Sequence, residues 1–207
     1  MTEIVLSHAD GDPGAYETLV LGIGNVLWAD EGFGIRSIET LHDRYVFPRG
    51  VRLLDGGTQG IFLVPWVTNA RRLLIFDAID FGLEPGTLKI IHGADVPRFM
   101  GAKKMSMHQT GFQEVLAMAD LTGDLPEELA LVGVQPELLD DFGGSLTDCV
   151  KAKIDAAIEA ACAILDDWQI DYANRDSAPG KADLVGPGAL EIKGYEQGRP
   201  TTNGDLP

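Results

Sequence analysis

Cysteine is scarce in this 207-residue chain, which carries only Cys149 and Cys162. The two fall 13 residues apart in one apolar-periodic stretch, a separation of about 20 Å along a helix. That spacing excludes a disulfide between them and points to a reducing compartment. Long apolar runs are missing as well. No window approaches the roughly 18 to 20 residues of a membrane span, and the opening MTEIVLSHADGDPGAY holds no apolar core for a signal peptide. A cytoplasmic protein without membrane insertion is the expectation. Basic residues are half as numerous as acidic ones, 16 against 32, for a net charge of -16. Such a field repels nucleic-acid backbones and acidic membranes unless a basic patch is segregated, and none is visible. The partner is then a small molecule, a cation or another protein. There is no P-loop, no HExxH, no CxxC, no nucleophile elbow and no solenoid repeat. What is present is 45% hydrophobic and 23% charged residues, an ordinary globular composition sufficient for one core.

The organisation alternates. Thr18-Leu19-Val20-Leu21 reads as a buried strand that stops at Gly22-Ile23-Gly24, and Ile35, Ile38, Leu41 and Tyr45 come next at helical spacing. Val51–Asp55 is a second strand. Ile61, Val64 and Val67 suggest a short helix whose first turn tolerates Pro65. Leu73–Asp77 is unbroken and apolar, as a central strand covered on both faces should be. Gly86–Ile91 reads as an edge strand and Leu129–Val134 as a fifth strand. Ser106 and Gln109 have the spacing of a capping box ahead of a stripe at Phe112, Val115, Leu116 and Ala119. Leu146 to Trp168 reads as one long amphipathic helix. This pattern predicts an α/β fold, a three-layer αβα sandwich with a twisted, mostly parallel central sheet of about five strands. The domain is expected over 17–168, with an N-terminal extension at 1–16 and a flexible, Gly/Pro-rich tail at 169–207.

Ligands of such sheets bind outside the carboxyl ends of the strands. Glu31 comes after the first strand, Asp55 closes the second, Asp77 closes the third, and His108 opens a later helix. Two carboxylates and an imidazole converging without a thiolate suit a borderline divalent cation such as nickel or zinc. A helix start would keep such a carboxylate ionised and such an imidazole neutral. Each residue also has a plainer reading. Asp30 serves as an N-cap beside a solvated Glu31, Asp77 forms a turn, and His108 fills a first turn. Gly22-Ile23-Gly24 hints at a dinucleotide site, but Leu27 replaces the third glycine, so the close helix contact is missing. His8, His42 and His92 read as solvated or capping residues, His42 as exposed beside Asp43. Trp28 and Phe33 are core anchors or a rim for a peptide. Asp80, Asp140 and Asp141 read as turn or surface residues.

Five segments in order, GIGNVLWADEGFG from Gly22, LLDGGTQG from Leu53, IFDAID around Asp77, SMHQTG around His108 and LVGVQPE from Leu131, resemble the NiFe-hydrogenase maturation endopeptidases, the uptake-hydrogenase type in particular. The resemblance spans Leu19 to Trp168. It implies an aspartyl-type endopeptidase that removes a C-terminal extension from the hydrogenase large-subunit precursor after nickel insertion. It also implies metal contact by Glu31, Asp77 and His108, and substrate selection by Asp55, Gly56 and Gly57. The metal has two roles open to it. It can polarise the scissile carbonyl and activate water. Alternatively the nickel is substrate-borne and the three residues read its presence, with another divalent cation able to substitute in crystals. The second is favoured, because this donor set is too weak to compete for nickel unless substrate thiolates complete the shell. The competing classes are a non-catalytic metal-dependent assembly chaperone or binding module and, weakened by Leu27, a nucleotide-binding enzyme.

Overall fold

The computed structural model describes residues 16–102, 107–176, 192, 195 and 196, with 101, 102 and 107–110 described for their backbone only. Four apolar runs form the parallel strands β1 (Thr18–Ile23), β3 (Val51–Gly57), β4 (Arg72–Ala78) and β6 (Glu128–Val134), and β5 (Leu88–His92) closes one edge antiparallel to β6. Their order is β3-β1-β4-β6-β5, which leaves β1 and β4 central. A two-residue antiparallel ladder, β2 (Tyr45–Val46) with β7 (Ala173–Asn174), stands apart.

Side-chain alternation along the strands divides the core. Leu19, Leu21, Leu73, Ile75, Leu129 and Leu131 face α2 (Val64–Thr68), α3 (Asp95–Ala102) and α4 (Met107–Thr122). Val20, Leu74, Phe76, Ala130 and Val132 face α1 (Phe33–Arg44), α5 (Asp148–Lys151) and α6 (Ile154–Asp167). The expected three-layer sandwich is therefore present, and among the described residues no helix is long and apolar enough to cross a membrane.

The joint between β1 and α1 is the tightest in the fold's upper edge and holds the turn that carries Glu31. A Cβ on Gly34 would strike the carbonyls of Ile23 and Phe76, and one on Gly22 would lie 2.6 Å from Gly34 O. The helix start thus sits directly on the two central strands, with backbone against backbone. The close helix contact, expected to be missing because of Leu27, is made by the Gly22–Gly34 pair instead.

Several expectations need correction. The segment after Leu146 is two helices. Thr147 opens α5 with no side-chain cap, the Lys153 N–H bonds back to Val150 O at 2.9 Å, and the helix restarts at Ile154. Cys149 and Cys162 thereby lie on different helices, and both are free thiols. Helix α3, whose Pro97 masks its pattern, has no counterpart among the expected elements. The capping-box residue Ser106, His8 and residues 177–191 of the tail lie outside the described residues. The packed body is wider than 17–168: Tyr16 is buried and donates to Trp66 O, and the chain beyond Trp168 returns to the domain. There Arg175 Nε donates to His42 O at 2.9 Å, and its Nη2 donates to Tyr45 O at 3.2 Å and lies 3.2 Å from His42 Nε2. His42, expected to be exposed, is buried under that guanidinium.

Ending the chain after Trp168 should therefore remove these bonds and uncover His42, lowering stability by about 1–3 kcal/mol. Urea unfolding checks this by a lower midpoint with an essentially unchanged slope.

Candidate active site

Glu31 lies in a 3-10 turn (Ala29–Gly32) between β1 and α1, and its backbone is pinned by Asn25 N–H on Glu31 O at 3.1 Å and Glu31 N–H on Trp28 O at 2.9 Å. Gly24, at φ +130, leaves no room for a Cβ against Glu31 O, so glycine is required there. One strand over, Asp77 is the penultimate residue of β4 and is 2% exposed. The alternation that puts Ile75 toward α2–α4 puts Asp77 on the same side.

The two carboxylates meet. Burial is the larger cause that pushes Asp77's pKa upward, and the charge of Glu31 adds to it. The Ala78 backbone N–H opposes this by donating to the Asp77 carboxyl. Asp77 Oδ2 is buried and, among the described residues, accepts no hydrogen bond. Glu31 is pushed up to about 6, first by loss of solvent and second by Asp140, a residue that sequence reasoning placed on the surface. The expectation that a helix start would hold Glu31 ionised is reversed: desolvation and neighbouring carboxylates outweigh the dipole of one 3-10 turn.

His108 has its backbone in the first turn of α4, and its side chain lies outside the described residues. Its backbone position still bears on the site. Gly111, one turn on, packs so closely on Gly60 that a Cβ would come within 3.3 Å of Gly60 Cα. The start of α4 therefore sits against the turn that leaves β3.

Asp55 does not join them. Leu54 faces the α2–α4 layer and Leu53 the α1 layer, and Asp55 falls on the latter side, within electrostatic reach of Glu39 on α1. Gly56 packs beneath Leu21 and Ile23, while Gly57 has φ +44 and closes the strand against Gly24 N–H at 3.1 Å.

Sequence reasoning underrated two residues. Asp30 caps no helix; it is fully buried and binds the segment 137–147. Gln135, also buried, accepts from Phe81 N–H at 2.7 Å and Leu83 N–H at 3.2 Å and donates to Asp80 at 2.9 Å, tying the β4 and β6 loops together. Trp28 stacks edge-on against exposed Phe142 at 5.2 Å, whereas Phe33 is core. Exposed apolar residues gather at this edge: Ile61 and Phe62 come after β3, Leu83 after β4, and Leu138 and Phe142 after β6.

The family model described as hydrogenase maturation protease matches residues 35–164. The chain belongs to the hydrogenase maturation protease family. A hydrogenase expression/formation protein of Azotobacter vinelandii is 57% identical over 182 residues, covering 88% of this chain and 86% of that protein. The hydrogenase 2 maturation protease of Escherichia coli is 41% identical over 160 residues, 77% of this chain and 96% of that one. The hydrogenase maturating endopeptidase HybD of Escherichia coli superposes with a TM-score of 0.73 at 40% identity, over 78% of this chain and 99% of its own. The protein is accordingly a peptidase, and the chaperone and nucleotide-enzyme classes give way to it.

For this protease the raised carboxyls carry a sign. A carboxyl whose folded pKa lies above its unfolded value opposes folding once it ionises. Stability from Glu31 is greatest below about 4.5 and declines as pH rises through about 6, the interval set by its shift. Asp77→Asn removes the more deeply buried ionisable carboxyl and should raise the melting temperature at pH 7 by about 2–5 °C. Calorimetry of this variant and of Glu31→Gln, whose stability should respond less to pH between 4.5 and 6, provides the check.

Proposed function

We propose that this chain is the endopeptidase that removes the C-terminal extension of the NiFe-hydrogenase large-subunit precursor once nickel is in place, and that it reads the nickel through Glu31, Asp77 and His108. The observation that carries this reading is the pair of like-charged, desolvated carboxylates at adjacent strand ends, one with a buried oxygen that accepts no hydrogen bond among the described residues. Such a pair is unfavourable by itself and is relieved by a cation. Oxygen donors with one imidazole and no thiolate hold nickel weakly. Nickel borne by the precursor, with substrate ligands completing its shell, therefore supplies the charge only when the correct cargo is present.

The reaction is hydrolysis of one peptide bond in the aspartyl-type manner. Water is added across the C–N bond, the new carboxyl stays on the mature subunit, and the amine leaves with the extension. What this chain contributes is position: carboxylates fixed at the sheet edge hold the nickel-bearing segment and place the scissile bond beside them. Asp55, Gly56 and Gly57 select the substrate from the β3 end, with Asp55 reaching it from the α1 side. The free thiols of Cys149 and Cys162 fit a cytoplasmic setting, where such a precursor matures.

Mass spectrometry of the precursor's C-terminus, before and after exposure to the protein and with and without nickel, tests the reading. A mass loss is expected only with nickel-loaded precursor; cleavage indifferent to nickel contradicts it. Glu31→Gln, Asp77→Asn and His108→Ala should each slow processing by about 100-fold or more. Metal analysis of the protein alone should find no stoichiometric nickel, and tightly bound nickel there would overturn substrate-borne recognition.

A further inference from the structure

Asp30 stands next to Glu31 but does different work. Its carboxylate is wholly buried, and both oxygens are occupied by donors from one distant segment. Oδ2 accepts from the Glu137 and Leu138 N–H groups, each at 2.9 Å. Oδ1 accepts from Thr147 N–H at 2.7 Å, and Thr147 Oγ1 lies 3.0 Å from either oxygen. These partners are 107 to 117 residues away in sequence. Backbone bonds run alongside: Asp30 N–H to Leu138 O at 3.1 Å, Ala29 N–H to Gly144 O at 3.2 Å and Gly143 N–H to Leu27 O at 2.7 Å.

The arrangement is not that of a helix cap. Helix α1 starts from Gly32 with no side-chain cap, and Thr147, at the cap position of α5, gives its hydroxyl to Asp30 rather than to the helix. Ala29, immediately before Asp30, is held at φ +40, a left-handed conformation unfavourable for a non-glycine residue that persists only where surrounding bonds impose it. Release of the Asp30 carboxylate would free the turn Ala29–Gly32 that carries Glu31. Loosening of 137–147 would withdraw Asp140, whose charge Glu31 feels.

We propose that Asp30 is a positioning residue of the peptidase: it locks segment 137–147 to the turn that carries Glu31, so that this segment and the Glu31 carboxylate keep one fixed geometry against Asp77. The proposal rests on the reading of Glu31 and Asp77 as the nickel-sensing pair. An amide cannot replace Asp30, because an Asn side chain would turn one NH2 against backbone N–H donors.

The test compares Asp30→Asn, Thr147→Val and Thr147→Ser, each with nickel-loaded precursor, at a temperature where circular dichroism shows the variant folded. Hydrogen exchange is followed in segments 24–32 and 137–147. Asp30→Asn should lose amide protection in both segments while β1 and β4 stay protected. Its kcat should fall by at least about tenfold with KM changed less than about twofold. Thr147→Val should show the same pattern more weakly, and Thr147→Ser, which keeps the hydroxyl, should behave as wild type. Wild-type kcat in both Asp30→Asn and Thr147→Val overturns the proposal. So does unchanged exchange in the two segments, or loss of protection spread equally over β1 and β4, which makes Asp30 a general stabiliser. Glu31→Gln is run alongside: wild-type processing by that variant defeats the carboxylate-pair reading itself and so separates that failure from a failure of Asp30.

Discussion

Two carboxylates that repel each other, one buried and one half-buried, are held close by the fold. Glu31 comes from the turn after β1 and Asp77 from the end of the neighbouring strand β4, and the burial that raises both pKa values disfavours the charged forms. Left to local preferences, the chain would turn one of them into solvent. The backbone contact of Gly22 with Gly34 and the glycine-only conformation of Gly24 fix the β1–α1 turn too tightly for that. From the far side, Asp30 and its donors in 137–147 close the same turn. The fold thus maintains an electrostatic strain that a cation would relieve, which is what the proposed reading of a substrate-borne metal rests on.

The rest of the architecture serves that constraint. The unbroken apolar strand Leu73–Phe76 anchors Asp77 in the middle of the sheet, where no loop motion can relocate it. The α4 start, which carries the His108 backbone, rests on the β3 loop through Gly60 and Gly111. Asp55 lies on the α1 side of the sheet, the opposite face from Asp77. Exposed apolar side chains, Phe62 and Phe142 among them, border this edge.

Much of this was legible in the sequence, for identifiable reasons. The buried strands announced themselves because parallel strands covered on both faces are continuous apolar runs. The candidate ligands came from the rule that sites lie at the carboxyl ends of such strands. What escaped was non-local. Asp30 looked like a cap because its true partners, Glu137, Leu138 and Thr147, are more than a hundred residues away. His42 looked exposed because Arg175, which covers it, lies beyond the apparent end of the domain. The single helix expected from Leu146 to Trp168 broke at Ala152–Lys153, where the Lys153 N–H turns back to Val150 O, a local bond invisible to helical periodicity. Glu31's elevated pKa was missed because the dipole of a helix start is readable from sequence, whereas desolvation and Asp140 are not.

The central claim is that nickel on the precursor supplies the charge that Glu31 and Asp77 lack. The most direct measurement is the dissociation constant between this protein and the precursor with and without nickel, for the wild type and for the variant combining Glu31→Gln with Asp77→Asn. The account predicts that nickel tightens wild-type binding by about tenfold or more, equivalent to about 1.4 kcal/mol, and leaves the double variant unaffected. Equal wild-type affinity for loaded and unloaded precursor, or the same nickel preference in the double variant, would contradict it.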